Sequence, residues 1–179
     1  MQRILLKKTK EYGLVLKRTR KKGIGVFTTR SFDKGERILD FAGDFFTKDQ
    51  LPESEGAENK PSHFMQIGRN IYQGPSDDME TFTNHSCDPN CGVIINGINA
   101  YLVAIRDIVA GEEITWDYST TMSDDNWQME CFCNSDGCRK EIREFKYLPK
   151  EIQKKYIRLC IVPDYVIDSA LRHHSSQRL

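Results

Sequence analysis

Short runs of alternating apolar and polar residues recur along the first two thirds of the chain, and this period of two is typical of β-strands. Glycine-rich turns separate the runs and keep each one short. The pattern predicts strands at 12–17, 32–39, 63–67, 70–73, 92–95, 100–105 and 108–118, with a turn opening the 32–39 and 108–118 segments. Many short strands joined by such turns indicate a mostly β domain.

The C-terminal part of the chain changes to helical spacing. Apolar residues recur there on one helical face, at Leu148, Ile152, Tyr156, Leu159 and Cys160. Pro149 suits the first turn of this helix and Pro163 ends it, and a short second helix is expected from Asp164. We expect the apolar stripe, including Cys160, to pack against the β domain as core.

Two polar segments interrupt the pattern, and we expect a surface insertion at 47–62 and a connector at 124–130. At 179 residues the chain is long enough for one domain with appendages. Its apolar runs, such as Val93 to Ile95, end far short of the roughly 20 residues that cross a bilayer. Its first residues lack the features of a secretion signal. We therefore expect a soluble intracellular protein without a membrane partner.

Charge is distributed unevenly although the net charge is zero. The net charge is +8 over residues 1–40, −12 over residues 41–130 and +4 over residues 131–179. A solvated surface explains each run taken alone, but an acidic block around a site would steer a cationic substrate toward it. The basic run from Lys17 to Lys22 has no interleaved aromatic residues, so we do not expect direct nucleic-acid binding.

The six cysteines include a compact group with the pattern Cys131-x-Cys133-x4-Cys138. In a chain without a secretion signal, such spacing favours a metal site over disulfides. Free structural thiols are the alternative, because a lone C-x-C pattern is weak evidence for a metal. The cysteines therefore predict a metal site whose remaining ligands lie elsewhere in the chain.

The segment from Asn84 to Cys91 concentrates an amide, an imidazole, two thiols and a turn-forming proline in eight residues. Polar side chains so dense are poor core material, which favours a site over a packing role. Farther upstream, two glycines flank Ile24. That pattern suits either a close backbone approach or a simple turn.

Three motifs in this order resemble the SET-domain family of protein-lysine methyltransferases: N-H-S-C-D-P-N at 84–90, G-E-E-I-T-W-D-Y at 111–118 and C-x-C-x4-C at 131–138. The glycines around Ile24 look like the family's opening segment, so the likeness covers about residues 12–142. It implies a mostly β fold, a β-clip of small twisted sheets. In that fold the segment after Asn84 and the strand ending at Tyr118 thread into a pseudoknot.

The resemblance also divides the chain. It implies a basic N-terminal extension at 1–11, a SET domain at 12–120, a post-SET zinc-binding segment at 121–142 and a C-terminal helical extension at 143–179. No cysteine precedes Cys87, so the cysteine-rich pre-SET region of some relatives is not expected.

For function, the resemblance implies a protein-lysine N-methyltransferase that uses S-adenosylmethionine. Its substrate would be a lysine ε-amine in a basic peptide such as a histone tail, bound as an added strand. The cofactor would be held by backbone at Ile24, Gly25 and Val26 and by Asn84 and His85. An isolated histidine is more often a core residue, but the N-H-S-C context favours a ligand role. The location would be chromatin in a eukaryote, and the cytoplasm or a host cell for a bacterial protein.

Tyr118 matches the catalytic tyrosine of the family and would orient the amine and the methyl group. We do not expect it to act as a base, because a tyrosine pKa of about 10 keeps it protonated. Two departures from the family pattern affect the substrate channel. Trp116 stands where Phe or Tyr is usual, and His63 stands where Tyr is frequent, so the number of methyl groups added stays open.

The family's zinc site implies a role for the thiols. It would be closed and structural, with four thiolate ligands from Cys87, Cys131, Cys133 and Cys138. Phe132 or Ile142, next to this site, would cover the adenine of the cofactor or line the lysine channel. Cys91 falls outside the ligand set.

Two other functions compete with this interpretation. A noncatalytic, zinc-stabilised module that binds basic peptides would share the composition, although Tyr118, Asn84 and His85 argue against it. A zinc hydrolase would need an open metal position with histidine or carboxylate ligands, which four thiolates do not offer.

Overall fold

The computed structural model describes residues 12–52, 64–124 and 127–176, and the expected basic extension at 1–11 and the channel candidate His63 lie outside these ranges. Within them, short strands form five small sheets, which confirms the mostly β fold class. The strands are β1 Leu14–Arg18, β2 Ile24–Thr28, β3 Arg37–Asp40, β4 Phe45–Phe46, β5 Met65–Gly68, β6 Ile71–Gln73, β7 Asn84–His85, β8 Cys91–Asn96, β9 Asn99–Ala104, β10 Thr115–Trp116, β11 Gln128–Glu130 and β12 Glu141–Arg143. Two α-helices follow, α1 Lys150–Arg158 and α2 Asp164–Ser176.

Antiparallel pairs of consecutive strands build most of the sheets, joined by short turns except at β11–β12, which enclose the cysteine segment at 131–140. β1 pairs with β2, β5 with β6, β8 with β9 and β11 with β12. β3 adds to β9 and β4 adds to β6, giving the orders β3-β9-β8 and β4-β6-β5. Gly97, in the β8–β9 turn, has a φ of 63°, a left-handed conformation that favours glycine.

One cluster of buried side chains joins the sheets into a common core. In β9 the residues Ala100, Leu102 and Ala104 are buried, while the residues between them are partly or fully exposed. Leu102 packs with Val26 of β2 and Val93 of β8 in this cluster. The period of two that predicted the strands is therefore the same period that directs alternate side chains into the core.

β7 and β10 form a parallel pair between two distant segments, with Asn84 opposite Thr115 and His85 opposite Trp116. Asn90, which is buried, fastens this crossing. Its Nδ2 donates to the Glu113 carbonyl at 2.8 Å, and its Oδ1 accepts the Thr115 N–H at 2.9 Å. The two motifs at 84–90 and 111–118 are thereby held side by side.

The C-terminal helices pack on the β8–β9 sheet through a second core. Its buried members are Phe145, Leu148, Tyr156, Ile161, Val162, Val166 and Ala170. Gly92 of β8 makes room for this layer, because a Cβ there would lie 2.3 Å from Cγ2 of Ile161. Within the described ranges, neither α-helix is long and apolar enough to span a bilayer.

Three details of the predicted pattern are wrong. Helix α1 ends before Cys160, which has a φ of 55° and is exposed instead of joining the core. Tyr118 does not end a strand but begins a 3-10 helix, because the Asp117 side chain accepts the Ser119 N–H and caps that turn. Residues 128–130 form strand β11, which pairs with β12, and not a connector.

Candidate active site

A cavity of about 750 Å³ opens among the β7–β10 crossing, the β1–β2 hairpin and the β11–β12 hairpin. This volume suits a ligand of cofactor size. Eight of the predicted site residues line it, namely Ile24, Asn84, His85, Trp116, Tyr118, Phe132, Cys133 and Ile142. Gly25 and Val26 lie outside the lining, and Val26 belongs to the main core.

The β2 end of the cavity is held by polar contacts that are only partly buried. Asn84 Nδ2 donates to the Ile24 carbonyl at 3.0 Å and to Glu113 Oε1 at 2.8 Å. Glu113 Oε2 in turn pairs with Lys22 Nζ at 2.7 Å. A Cβ at Gly25 would lie 2.6 Å from Glu113 Oε1 and 2.9 Å from Asn84 Nδ2, so a glycine is needed for this close approach.

Tyr118 lies in the cavity wall with its hydroxyl fixed. The hydroxyl donates to the Thr83 carbonyl at 2.8 Å, and burial raises the pKa of this phenol. The ring centroid lies 4.6 Å from that of Trp116 and 5.4 Å from that of His85. The Trp116 indole N–H donates to Thr83 Oγ1 at 3.2 Å. Thr83 therefore orients both aromatic side chains, and Tyr118 stays protonated.

Behind Tyr118, the buried Asp117 carboxylate collects donors from three parts of the chain. Arg139 Nη2 donates to both carboxylate oxygens at 2.8 Å. The hydroxyl of Tyr156, on α1, donates to Oδ2 at 3.1 Å. The N–H of Ser119 donates to Oδ1 at 3.2 Å. A buried carboxylate needs such partners, and these fix the turn that begins at Tyr118.

His85 connects Tyr118 to the thiols. Burial lowers its pKa to about 4, against the opposing charge of Asp117, so the ring is neutral near pH 7. Its Nδ1 accepts the Tyr118 N–H at 3.2 Å, which leaves the proton on Nε2. Nε2 lies 3.3 Å from Cys87 Sγ. The neutral imidazole thus donates to a sulfur on one side and accepts from the Tyr118 backbone on the other.

Four cysteines cluster next to His85. The sulfurs of Cys87 and Cys138 each lie 3.7 Å from that of Cys131, and the Cys87 N–H donates to Cys133 Sγ at 3.5 Å. Thiolates about 2.3 Å from a tetrahedral zinc lie about 3.8 Å apart, so the measured separations fit. The cluster is positioned to bind a metal such as zinc.

The His85 ring is also close enough to complete a tetrad with Cys87, Cys131 and Cys133. Its 3.3 Å contact with Cys87 Sγ is a hydrogen-bond distance and is shorter than the edge of about 3.5 Å expected between nitrogen and sulfur ligands of one zinc. Cys138 matches the expected edge. Cys138 is the thiol alternative to His85 as a fourth ligand, and it lies outside the group of mutually close donor atoms that His85 completes.

A family model described as SET domain matches residues 23–119, more than half of the chain. The chain belongs to the SET-domain family. This confirms the family that the three motifs resemble, and the matched range contains the first two of them.

Curated relatives of this SET domain include proteins named histone-lysine N-methyltransferases. The chain is 33% identical over 139 residues to the "Variant-silencing SET domain-containing protein" of Plasmodium falciparum, covering 70% of this chain and 5% of that protein. It is 32% identical over 131 residues to mouse "Histone-lysine N-methyltransferase NSD3", covering 68% and 9%. The chain thus spans less than a tenth of the length of these two relatives.

Solved structures share the fold. The methyltransferase domain of human histone-lysine N-methyltransferase SETMAR matches with a TM-score of 0.60 at 20% identity, over 73% of this chain and 58% of that one. KRYPTONITE in complex with mCHH DNA, an H3(1-15) peptide and SAH matches with a TM-score of 0.59 at 21% identity, over 74% and 30%. These likenesses confirm the β-clip of small sheets.

Several residues that shape the SET-domain site were not predicted from sequence. Lys22, Glu113 and Arg139 act through partners far away in the chain, and their charges looked like ordinary surface charges. Gln73 and Glu80 line the cavity, although nothing in their local sequence indicates burial. For Arg139, its position directly after Cys138 was the one available signal.

Proposed function

We propose that this SET domain is a protein-lysine N-methyltransferase that uses S-adenosylmethionine and modifies the ε-amine of a lysine in a basic peptide such as a histone tail. One observation carries the proposal. The fixed hydroxyl of Tyr118 shares a cavity with Asn84 and His85, in a family whose curated relatives include proteins named histone-lysine N-methyltransferases.

The cofactor would be held at the β2 end of the cavity. Ile24 offers an apolar surface, 43% exposed, at the cavity wall, and Asn84 is oriented by Glu113. His85, Phe132 and Ile142 line the same cavity, and the backbone of Gly25 and Val26, directly behind Ile24, would complete the binding segment. When bound, S-adenosylmethionine supplies an electrophilic methyl group on a positively charged sulfur.

Tyr118 would position the lysine amine. Its proton is committed to the Thr83 carbonyl, so the phenol oxygen keeps lone pairs that can accept an N–H from the amine. Only the free amine reacts, and burial in the cavity favours that form by lowering the lysine pKa. Trp116, beside Tyr118, narrows the channel. Holding the amine in line with the methyl group supplies much of the rate.

The metal site would be structural zinc held by Cys87, Cys131, Cys133 and Cys138. Burial raises the pKa of Cys87 to about 11, and a bound zinc ion would deprotonate such a thiol. Although burial acts to raise it, the pKa of Cys133 lies at about 6, because hydrogen bonds from Ser135 and from the Cys87 N–H stabilise the thiolate. The metal would tie the post-SET segment at 121–142 to the SET domain at 12–120.

The remaining assignments follow from the same proposal. Residues 143–179 are assigned to a C-terminal helical extension, within which α1 supports the site through Tyr156, and residues 1–11 are assigned to an N-terminal extension of basic composition. Chromatin is the expected location in a eukaryotic cell, since relatives include histone methyltransferases.

The deciding experiment is incubation of the zinc-loaded protein with labelled S-adenosylmethionine, purified histones and a cell extract, followed by mass spectrometry of the labelled products. We expect methyl groups on lysine side chains, with the number per lysine read from the mass. If the protein binds the cofactor but labels no lysine in either substrate, the enzyme assignment is wrong and the noncatalytic peptide-binding module takes its place.

A further inference from the structure

A second polar region of the cavity wall lies in β6 and the segment that follows it. Gln73, Ser76 and Glu80 line the cavity there. Their side chains do not hydrogen-bond to Tyr118 or Asn84, although the Glu80 carbonyl accepts the N–H and the hydroxyl of Thr83, at 3.0 Å and 2.6 Å. This region is called the β6 subsite below.

Glu80 is a buried carboxylate without a cation. It is 6% exposed, its Oε1 accepts the Ala42 N–H at 3.1 Å, and it also accepts the Ser76 hydroxyl. Among the described residues no lysine or arginine forms a salt bridge with it. Burial raises the pKa of Glu80, against the hydrogen bonds from Ser76 and the backbone. A buried charge left unpaired is costly, so a cation that enters the cavity beside Glu80 would offset this cost.

Gln73 supplies a second acceptor in the same wall. It is 6% exposed. Its Nε2 donates to the Phe41 carbonyl at 3.3 Å, which sets the orientation of the amide. Its Oε1 has no hydrogen-bond partner in the part of the chain that the structure describes. Buried polar atoms are almost always paired, so this oxygen is available to a donor that enters the cavity.

A carboxylate and an amide oxygen together call for a ligand that is cationic and rich in N–H donors. An alkylammonium or a guanidinium group meets both conditions. The reacting amine itself fits poorly, because a carboxylate beside it would stabilise the ammonium form and oppose attack on the methyl group. The cation is therefore a second basic group of the substrate.

We propose that Glu80 and Gln73 bind a second basic side chain of the substrate, so that the protein selects lysines with another lysine or arginine nearby in sequence. This inference rests on the proposed methyltransferase function and specifies its substrate class. It makes the β6 subsite a determinant of specificity, separate from the groups that orient the reacting amine.

The test uses a series of peptides with one target lysine and a single arginine, placed at a different flanking position in each peptide. In a matched peptide for each position, neutral citrulline replaces the arginine. Binding to the zinc-loaded protein is measured by fluorescence anisotropy, and methyl transfer by mass spectrometry. We expect one flanking position at which citrulline weakens binding about tenfold and raises KM with little change in kcat.

Glu80→Gln keeps the shape of the side chain and its hydrogen-bond acceptor but removes the charge. In this variant the arginine and citrulline peptides should bind about equally. Glu130→Gln is the matched control, since Glu130 is an exposed carboxylate of the same cavity, and the tenfold ratio should persist there. Gln73→Leu is a second variant that should reduce the ratio if Glu80→Gln does not fold.

The subsite is refuted if no flanking position distinguishes arginine from citrulline in the natural protein, or if Glu80→Gln retains the full ratio. The two proposals fail separately. Discrimination in binding without any methyl transfer would overturn the enzyme assignment alone, whereas methyl transfer without discrimination would overturn the β6 subsite alone.

Discussion

Single residues at this site are held by specific, directional contacts. Tyr118 is fixed at both ends, through its hydroxyl on the Thr83 carbonyl and its backbone N–H on His85 Nδ1. Because the Tyr118 side chain is already held in place, little of its conformational entropy is lost when it orients a reacting amine. The consequence for function is that small changes in Tyr118 should alter rate more than stability.

Replacing Tyr118 by phenylalanine should lower kcat about 100-fold or more, since it deletes a positioned group at the reacting centre. Loss of one hydrogen bond to a backbone carbonyl should cost about 1 kcal/mol of unfolding free energy. Steady-state transfer to histones and urea unfolding measure the two effects. Tyr147→Phe, on an exposed tyrosine outside the cavity, is the control. Equal kcat in both variants would remove Tyr118 from the mechanism.

Glu80 should make stability depend on pH. Because burial raises its pKa above the value of about 4.3 in an unfolded chain, the folded state holds the proton more tightly. Its contribution to the free energy of unfolding therefore falls as the pH rises from about 4.3 through the higher pKa of the folded state. Glu80→Gln cannot ionise, so its stability relative to the natural protein should increase as the pH rises from about 4.3. Urea unfolding at a series of pH values from 4 upward is the measurement, and a constant or reversed difference would contradict the assignment.

Among the secondary-structure elements, β8 shows how the C-terminal helices dock. The backbone of Gly92 allows Ile161, in the α1–α2 linker, to pack directly on the sheet, so this glycine is required for contact and not for a turn. The helices carry Tyr156 to Asp117, which makes their seating relevant to the site.

Gly92→Ala should therefore destabilise the protein by about 1–3 kcal/mol through overpacking against Ile161. In an Ile161→Ala background, which itself costs about 2–5 kcal/mol, the same substitution should cost less because the colliding methyl group is gone. Denaturant unfolding of the four proteins gives the coupling. Additive effects would show that Ile161 does not pack on Gly92.

Over the whole molecule, the cluster of cysteines brings Cys87, which follows β7, together with the segment that carries Cys131, Cys133 and Cys138. Arg139 lies directly after Cys138, and it contributes both its backbone N–H to Cys87 Sγ at 3.4 Å and its side chain to Asp117. The cysteine segment at 131–138 and the turn at Tyr118 are therefore linked through Arg139.

Cys131→Ser should accordingly lose stoichiometric zinc and methyl transfer together. Cys160→Ser, at an exposed cysteine, should keep both. Metal content by mass spectrometry and transfer to histones are measured on the same samples. A Cys131→Ser protein that retains one zinc per chain would contradict the four-thiolate site.

Sequence patterns predicted local features well because those depend on neighbours in the chain. The β5–β6 and β8–β9 hairpins followed from alternation and glycine turns, and the SET motifs indicated the crossing of β7 with β10 and the cluster of cysteines. The exposure of Cys160 was not predicted, because Cys160 itself adopts a left-handed conformation after α1 ends, and the chain there leaves the apolar face of the helix. Glu80 and Gln73 were missed because their burial depends on Phe41 and Ala42, which are distant in sequence.

Convergence on Asp117 also has a consequence for synthesis. Arg139 and Tyr156 both follow the motif at 111–118 in the sequence. When Tyr118 has left the ribosome, a nascent chain therefore still lacks two of the donors to the Asp117 carboxylate. Methyl transfer should therefore begin only after α1 has emerged. Between the emergence of Cys138 and that of α1, the growing polypeptide contains all three motifs, but the Tyr156 hydroxyl cannot yet donate to the Asp117 carboxylate that fixes the turn at Tyr118.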